Sequence, residues 1–349
     1  MVIAVPPKST MDTSVTQLPV RVQQEIIKSI KNANHNRPPR RALWRTAIQA
    51  ITALFTSWII FAIPATIFVL IIFPFYFLTP YAHYMVGAFM CYLTWTLTSF
   101  IFDRQGVVFS FSGLDDIPEG ESAFVITNHK FFGDFFCICC LARAKGMMGY
   151  IRTFVKWETF RIPLFGWSMY LNNFPGLKRN WGTDKGKLQE SIRRFIDYKF
   201  PIWLVSHVEG TRFNAKNAAK SREFTDSRGM PPLNYVILPR YKGFWATICA
   251  LRDAHSHVKE IYDVTMCYYH ERKGFGYKPT LRELGLGKIQ EMHVHMHVER
   301  IPISEVPLDE QECAQWLYQR FYRKDAVLEV AKCAFEDLQN NSISDRKND

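Results

Sequence analysis

A chain of 349 residues is long enough for one large α/β domain with an appendage, or for two smaller domains. A composition 48% hydrophobic and 15% aromatic excludes a wholly disordered protein, and eight cysteines without paired CxxC spacing exclude a small disulfide scaffold and indicate a reducing, cytosol-facing environment. The net charge of +11 implies an anionic partner but does not by itself choose among nucleic acid, an acidic lipid surface and a phosphorylated substrate.

In chain order, residues 1–43 read as a mobile basic arm with no signal peptide at its start, ending in Arg37, Pro38, Pro39, Arg40 and Arg41. Within it Val22, Ile26, Ile27 and Ile30 fall near helical spacing, which fits either a short helix on a membrane surface or a loosely ordered tail. Residues 44–102 read as a membrane helical hairpin. No Asp, Glu, Lys or Arg occurs from Thr46 to Phe102, and a span needs roughly 20 apolar residues. The first segment is predicted within Thr46 to Leu78, bent at Pro64 and Pro74, and the second within Tyr84 to Phe102, with Thr79 and Pro80 as the turn. Arg40, Arg41 and Arg45 precede the pair, and Asp103 and Arg104 follow it, which places both ends in the cytosol. The competing reading is a helical pair buried in a soluble core.

Beyond Asp103 the pattern shifts to short β-rich runs alternating with helical stretches. Strands are predicted at Ser122 to Thr127, Tyr150 to Val155, Met169 to Phe174, Pro201 to Ser206, Tyr235 to Leu238, Glu260 to Tyr268 and Glu291 to Arg300. Leu188, Ile192, Phe195 and Ile196 make one apolar helix face, and Ala314, Leu317 and Phe321 mark a C-terminal helix. The expectation is an α/β fold over residues 103–333, with a mixed, largely parallel sheet flanked by helices, followed by a polar tail over 334–349. His293, His295 and His297 share one strand face, which suits a solvated or hydrogen-bonded face better than a metal site, since same-face neighbours on one strand lie about 7 Å apart. Cys137, Cys139 and Cys140 read as small apolar packing residues rather than nucleophiles.

Two sites carry chemistry. His129 follows the apolar run from Ala123 to Ile126, where a buried strand emerges into a loop, and Asp134 comes five residues later. Five residues on a helix are about 140° apart, so the two side chains meet only if His129 precedes the helix. A carboxylate holding the imidazole then presents a neutral nitrogen to a hydroxyl, and no enzyme nucleophile is needed. The second site, Glu209, Gly210, Thr211 and Arg212, follows another strand-like run and suits phosphate: Arg supplies a bidentate fork, Thr a donor, and Gly close backbone approach.

The run from Asn128 to Asp134 resembles the NHxxxxD signature of the glycerolipid acyltransferases, and Val208 to Phe213 resembles their EGTR block. Between them, Lys156, Trp157 and Glu158, continuing through Pro163, Gly166 and Trp167, resemble the second block of that family; Lys178 to Trp181 resemble its arginine block. Leu238 to Phe244 resemble the eukaryotic 1-acylglycerol-3-phosphate acyltransferase branch. The resemblance covers about Tyr84 to Arg323. It implies a two-helix membrane motif beside an α/β domain, with acyl-CoA as co-substrate and neither cofactor nor metal. The acceptor it implies is lysophosphatidate or a related lysophospholipid such as lysophosphatidylinositol or a lysocardiolipin. It also implies membrane lipids and no nucleic acid as partners, and an endoplasmic reticulum membrane location with the catalytic domain facing the cytosol; mitochondrial and lipid-droplet membranes are the alternatives. His129 is implied as base, Asp134 as its orienting partner, and Glu209, Gly210, Thr211 and Arg212 as the phosphate-side loop. Lys156 and Arg179 are implied as anion contacts, and Pro239 as the residue shaping the acyl-side turn. Two departures stand out: His207 and Val208 occupy positions where many members carry an aromatic residue followed by Pro or Cys, and the C-terminus lacks an additional hydrophobic span. A CoA-independent transacylase and a noncatalytic membrane adaptor are the rival functions.

Overall fold

The computed structural model describes residues 18–37, 43–56, 63–178, 181–286 and 288–348. A first helix, α1 (Val20–His35), is followed by α2 (Leu43–Thr56), α3 (Ile63–Ile72), a 3-10 turn (Phe73–Phe77) and α4 (Pro80–Arg104). The α/β region then runs β1 (Val108–Ser112), β2 (Ala123–Thr127), α5 (Asp134–Ala144), β3 (Ile151–Thr153), β4 (Val155–Lys156), α6 (Phe165–Leu171), β5 (Gly176–Leu177) and α7 (Trp181–Asp197). It continues with β6 (Trp203–His207), α8 (Ala215–Asp226), α9 (Tyr241–Leu251), β7 (Glu260–His270), β8 (Gly274–Phe275), α10 (Leu281–Gly285), β9 (Met292–Pro302) and α11 (Glu310–Asn348).

The main sheet has the order β1-β9-β7-β2-β6-β3, with β8 paired to β7. β2 runs parallel to both β6 and β7, β3 runs parallel to β6, and β9 lies antiparallel to β7 and parallel to β1. This is the mixed, largely parallel sheet expected. All five residues of β2 are buried, as a strand covered by helices on both faces requires. Trp203, Val205, Tyr262 and Val264 fill one layer, while Phe124, Leu204, Phe244 and Leu317 fill the other.

Two predicted strands are absent. Met169–Phe174 falls on the end of α6 and the turn after it; the run lacks β-branched residues, and Asn172 gives its carbonyl to the Arg152 guanidinium. Tyr235–Leu238 leaves a bend and joins no ladder, because side chains take its backbone donors. Asp325 accepts from the Tyr235 N–H, Glu209 from Ile237, and the Ser221 hydroxyl from Leu238. The short edge-strand β1 went unpredicted.

The expected mobile arm is, from Val20 to His35, a docked helix. Its apolar face has the predicted spacing, but Ile26 and Ile30 are fully buried against α11 and β1 rather than turned to a membrane. Ser29 donates to the Phe111 carbonyl and Glu25 accepts from the Gly113 N–H, so α1 covers the open edge of β1. The rest of residues 1–43 lies outside the described residues, apart from 18–37 and the start of α2.

Among the described residues one helix, α4, is long and apolar enough to cross a membrane. Of the predicted first span, residues 57–62 lie outside the described residues; α2 stands before them and α3, running on into the 3-10 turn, after them, with Pro64 in the first turn of α3 and Pro74 in the 3-10 turn. One face of α4 packs on the domain. Tyr84 stacks on Phe200 at 4.1 Å and donates to the Pro201 carbonyl, and Gln105 donates to the Leu284 carbonyl. Away from these contacts the helix is apolar and open at Phe89, Tyr92 and Phe100, continuous in sequence with exposed Phe75, Phe77 and Leu78.

The three histidines of β9 are buried, not solvated. Ser110 bonds His293 and His295 at 2.8 Å each, and Ser112 bonds His295 at 3.1 Å and His297 at 2.9 Å, so the two strands are laced together by side chains as well as backbone. Burial pushes His293 down to about 3 and His295 well below its usual value, so both rings are neutral hydrogen-bonding groups.

Candidate active site

The site lies at the carboxyl ends of β2 and β6, the usual place for function in a parallel sheet. Thr127 pairs with His207 in register, so the loop after β2 and the loop after β6 leave the sheet side by side. Asn128 anchors the first loop: its side chain donates to the Met266 carbonyl and accepts from the Met266 N–H, at 3.0 and 2.8 Å.

His129 stands in that loop and Asp134 is the first residue of α5, as their meeting requires. His129 Nδ1 lies 2.7 Å from Asp134 Oδ2. Asp134 is fully buried and also accepts from the Lys130 N–H at 2.7 Å, the Phe131 N–H at 3.2 Å and the Tyr268 hydroxyl at 2.8 Å. Burial, reinforced by Asp134, pushes the Tyr268 phenol well above its ordinary value, so it remains a donor. A carboxylate saturated this way, at a helix N-terminus, holds the imidazole in one tautomer with Nδ1 protonated and Nε2 free.

Glu209 corrects an expectation. It is 2% exposed, and its carboxyl accepts from the His129 N–H at 2.8 Å and the Ile237 N–H at 3.3 Å, so it ties the two loops together instead of facing a phosphate. Burial pushes it up to about 8. Gly210 follows with φ +68°, a conformation only glycine adopts freely, and the Arg240 side chain lies across the space a Cβ would fill. Thr211 accepts from the Asn217 side chain at 3.0 Å, and Arg212 is exposed on the same loop. Pro239 is buried just before α9; the next N–H, of Arg240, bonds the Val208 carbonyl at 2.7 Å and closes the turn against the exit of β6.

Of the other two predicted contacts, Lys156 is not drawn into this cluster. Lys156 is exposed on the separate β4–β5 ribbon, and Arg179 lies outside the described residues. The cysteines of α5 are buried, and the thiols of Cys137 and Cys139 are pushed well above their usual value by burial, which removes them as thiolate nucleophiles.

Sequence reasoning missed two neighbours of His129, namely Tyr268, which reaches Asp134 from the distant strand β7, and His207. The His207 ring stacks on His129 with centroids 4.2 Å apart and planes 17° apart. His129, Asp134 and His207 offer ligand atoms within 4.8 Å of one another, the spacing of a loose metal cluster. The stacking argues against a metal. An ion must lie near the plane of each ligating ring, nearly parallel planes do not meet beside the rings, and Asp134 is already committed to other donors.

A histidine held by a buried carboxylate on a strand-end loop, beside a glycine turn carrying an exposed arginine, is an arrangement able to act as a general base toward a hydroxyl. Residues 108–269 match the family described as Acyltransferase and residues 286–332 that described as Acyltransferase C-terminus, so the α/β domain belongs to the acyltransferase family. The chain is 35% identical over 210 residues to 1-acyl-sn-glycerol-3-phosphate acyltransferase gamma of Homo sapiens, covering 60% of this chain and 53% of that protein. It is 35% identical over 209 residues to the delta protein of Bos taurus, with the same two coverages. The chain thus spans about half the length of the curated relatives it matches. The crystal structure of the 1-acyl-sn-glycerophosphate acyltransferase PlsC from Thermotoga maritima aligns over 79% of this chain and 95% of that one, at 15% identity and a TM-score of 0.40.

Proposed function

We propose that this chain transfers a fatty acyl group from acyl-CoA to the free hydroxyl of 1-acyl-sn-glycerol-3-phosphate, giving phosphatidic acid and free CoA. The carrying observation is the His129–Asp134 pair: with Nδ1 engaged at 2.7 Å by a buried carboxylate, Nε2 is the nitrogen left to face a hydroxyl. The printed names of the relatives, matched over about half their length, support the choice of acceptor.

As the acceptor oxygen attacks the thioester carbonyl, its proton passes to Nε2 and a tetrahedral intermediate forms. Collapse breaks the C–S bond, the proton returns to the departing thiolate, and the imidazole ends neutral; no cofactor enters the balance. Asp134 stabilises the imidazolium while it exists. Arg212 holds two phosphate oxygens of the acceptor in a planar fork, with Gly210 and Thr211 beside it, and Lys156 and Arg179 attract the anionic parts of the substrates. Pro239 shapes the acyl side. The segment 44–102 holds the domain at the cytosolic face of the endoplasmic reticulum membrane, the open apolar side of α4 being the surface that supports this placement.

The test is CoA release by purified protein in lipid vesicles. His129→Ala should lose roughly 10²–10⁴ in turnover while folding normally, and near-normal turnover would overturn the base assignment. Acyl exchange without free CoA would indicate a transacylase instead, and a higher kcat/KM for lysophosphatidylinositol or a lysocardiolipin than for lysophosphatidate would move the acceptor.

A further inference from the structure

We infer that His207 is a positioning residue for His129: its ring, stacked face to face, fixes the plane in which the base presents its free nitrogen. The inference rests on His129 acting as the base. A single hydrogen bond from Nδ1 to Asp134 fixes one point of the imidazole and leaves the ring free to swing about that bond. The second constraint is the face of His207, at 4.2 Å and 17°. Both rings are placed by the same rigid feature, because Thr127 and His207 are opposed in the parallel β2–β6 pair and each ring sits at or just beyond that register position. The Gly210 N–H bonds the His207 carbonyl at 2.9 Å and sets the turn that keeps the ring there.

The stack is also electrically suited to its work. His129 gains a positive charge during the reaction, so a second imidazolium against its face would oppose proton abstraction. His207 faces His129, Asp134 and Arg212, and burial, then the charge of His129, brings it down to about 4. It is therefore neutral near neutral pH. Its Nδ1 is buried without a hydrogen-bond partner and the ring is held by a bond to the Asn128 backbone, so what it offers His129 is its flat face.

This separates the face from the chemistry of the ring. His207→Phe keeps a flat aromatic surface without nitrogens, whereas His207→Leu fills comparable space without one. Both should fold with melting temperatures close to each other. Leu should lower kcat about tenfold with little change in KM for lysophosphatidate, the size expected of a misaligned base. Phe should recover kcat to within about threefold of the parent, and the acid limb of its pH–rate profile should stay where it was. Equal losses in Phe and Leu would mean that the ring nitrogens are needed, no loss in either would mean that the stack is incidental, and a displaced acid limb in Phe would mean that His207 itself titrates in the reaction. Each of these overturns the inference. His129→Ala assayed alongside keeps the outcomes apart: turnover by that variant removes the base itself, whereas its inactivity beside a fully active Leu variant removes only the role of His207.

Discussion

Glu209 shows how a motif residue can serve catalysis without touching substrate. Its carboxyl joins the backbone of His129 to that of Ile237, so the base loop and the turn leading to Pro239 are set by one buried side chain. It also makes a pH-dependent contribution to stability. With its value raised from 4.5 to about 8, the folded protein keeps a proton that the unfolded chain releases. The contribution is full below about pH 4.5, shrinks as pH rises, and is gone above about pH 8. Glu209→Gln should therefore flatten the fall in melting temperature between those limits. It should also lower both stability and turnover, since an amide turns its NH2 toward one of two N–H groups that need an acceptor. Thermal unfolding of parent and variant across that range is the measurement, and an unchanged slope would remove Glu209 as its source. The pair His129 and Asp134 was legible in the sequence because its spacing and its place after an apolar run carry the geometry. The inward turn of Glu209 was not, because spacing says nothing about which way a side chain faces. Nor were Tyr268 and His207, which reach the base only through strand pairing.

Elements were legible where local pattern and tertiary pairing agree. β2, β6, β7 and β9 fall close to their predicted positions because their runs are rich in apolar, β-branched and aromatic residues, alternating with histidine in β9, and their backbone groups find neighbouring strands. Tyr235–Leu238 has the same local character, but Asp325, Glu209 and Ser221 had taken its donors from elsewhere in the chain. α1 is the converse case. Its helical spacing was plain and its destination was not, because the surface it buries is shared between β1 and α11, both distant in sequence. That docking is testable: Ile30, fully buried, should cost about 2–5 kcal/mol when changed to Ala, read as a lower urea midpoint. A change within ±0.5 kcal/mol would mean that α1 lies free in solution.

At the scale of the molecule, the proposed membrane placement predicts that tags at the N-terminus and after Asp103 share protease access on the cytosolic side, with the Thr79 to His83 turn shielded within the near leaflet, since the adjoining Tyr84 packs on the domain. Cleavage at that turn by a cytosolic protease would reject the arrangement. The α1–α11 contact has a consequence in time. Of the two elements α1 packs on, β1 follows it soon and α11 much later, so the burial of Ile26 and Ile30 stays incomplete while the intervening chain is synthesised. At about 5–20 residues per second that wait is on the order of tens of seconds, and the apolar segments that follow α1 leave the ribosome during it. The docking of α1 over the edge at β1 is thus not completed until α11 has been made, and a nascent chain stalled before Glu310 would carry a helix with part of its apolar face uncovered beside that edge.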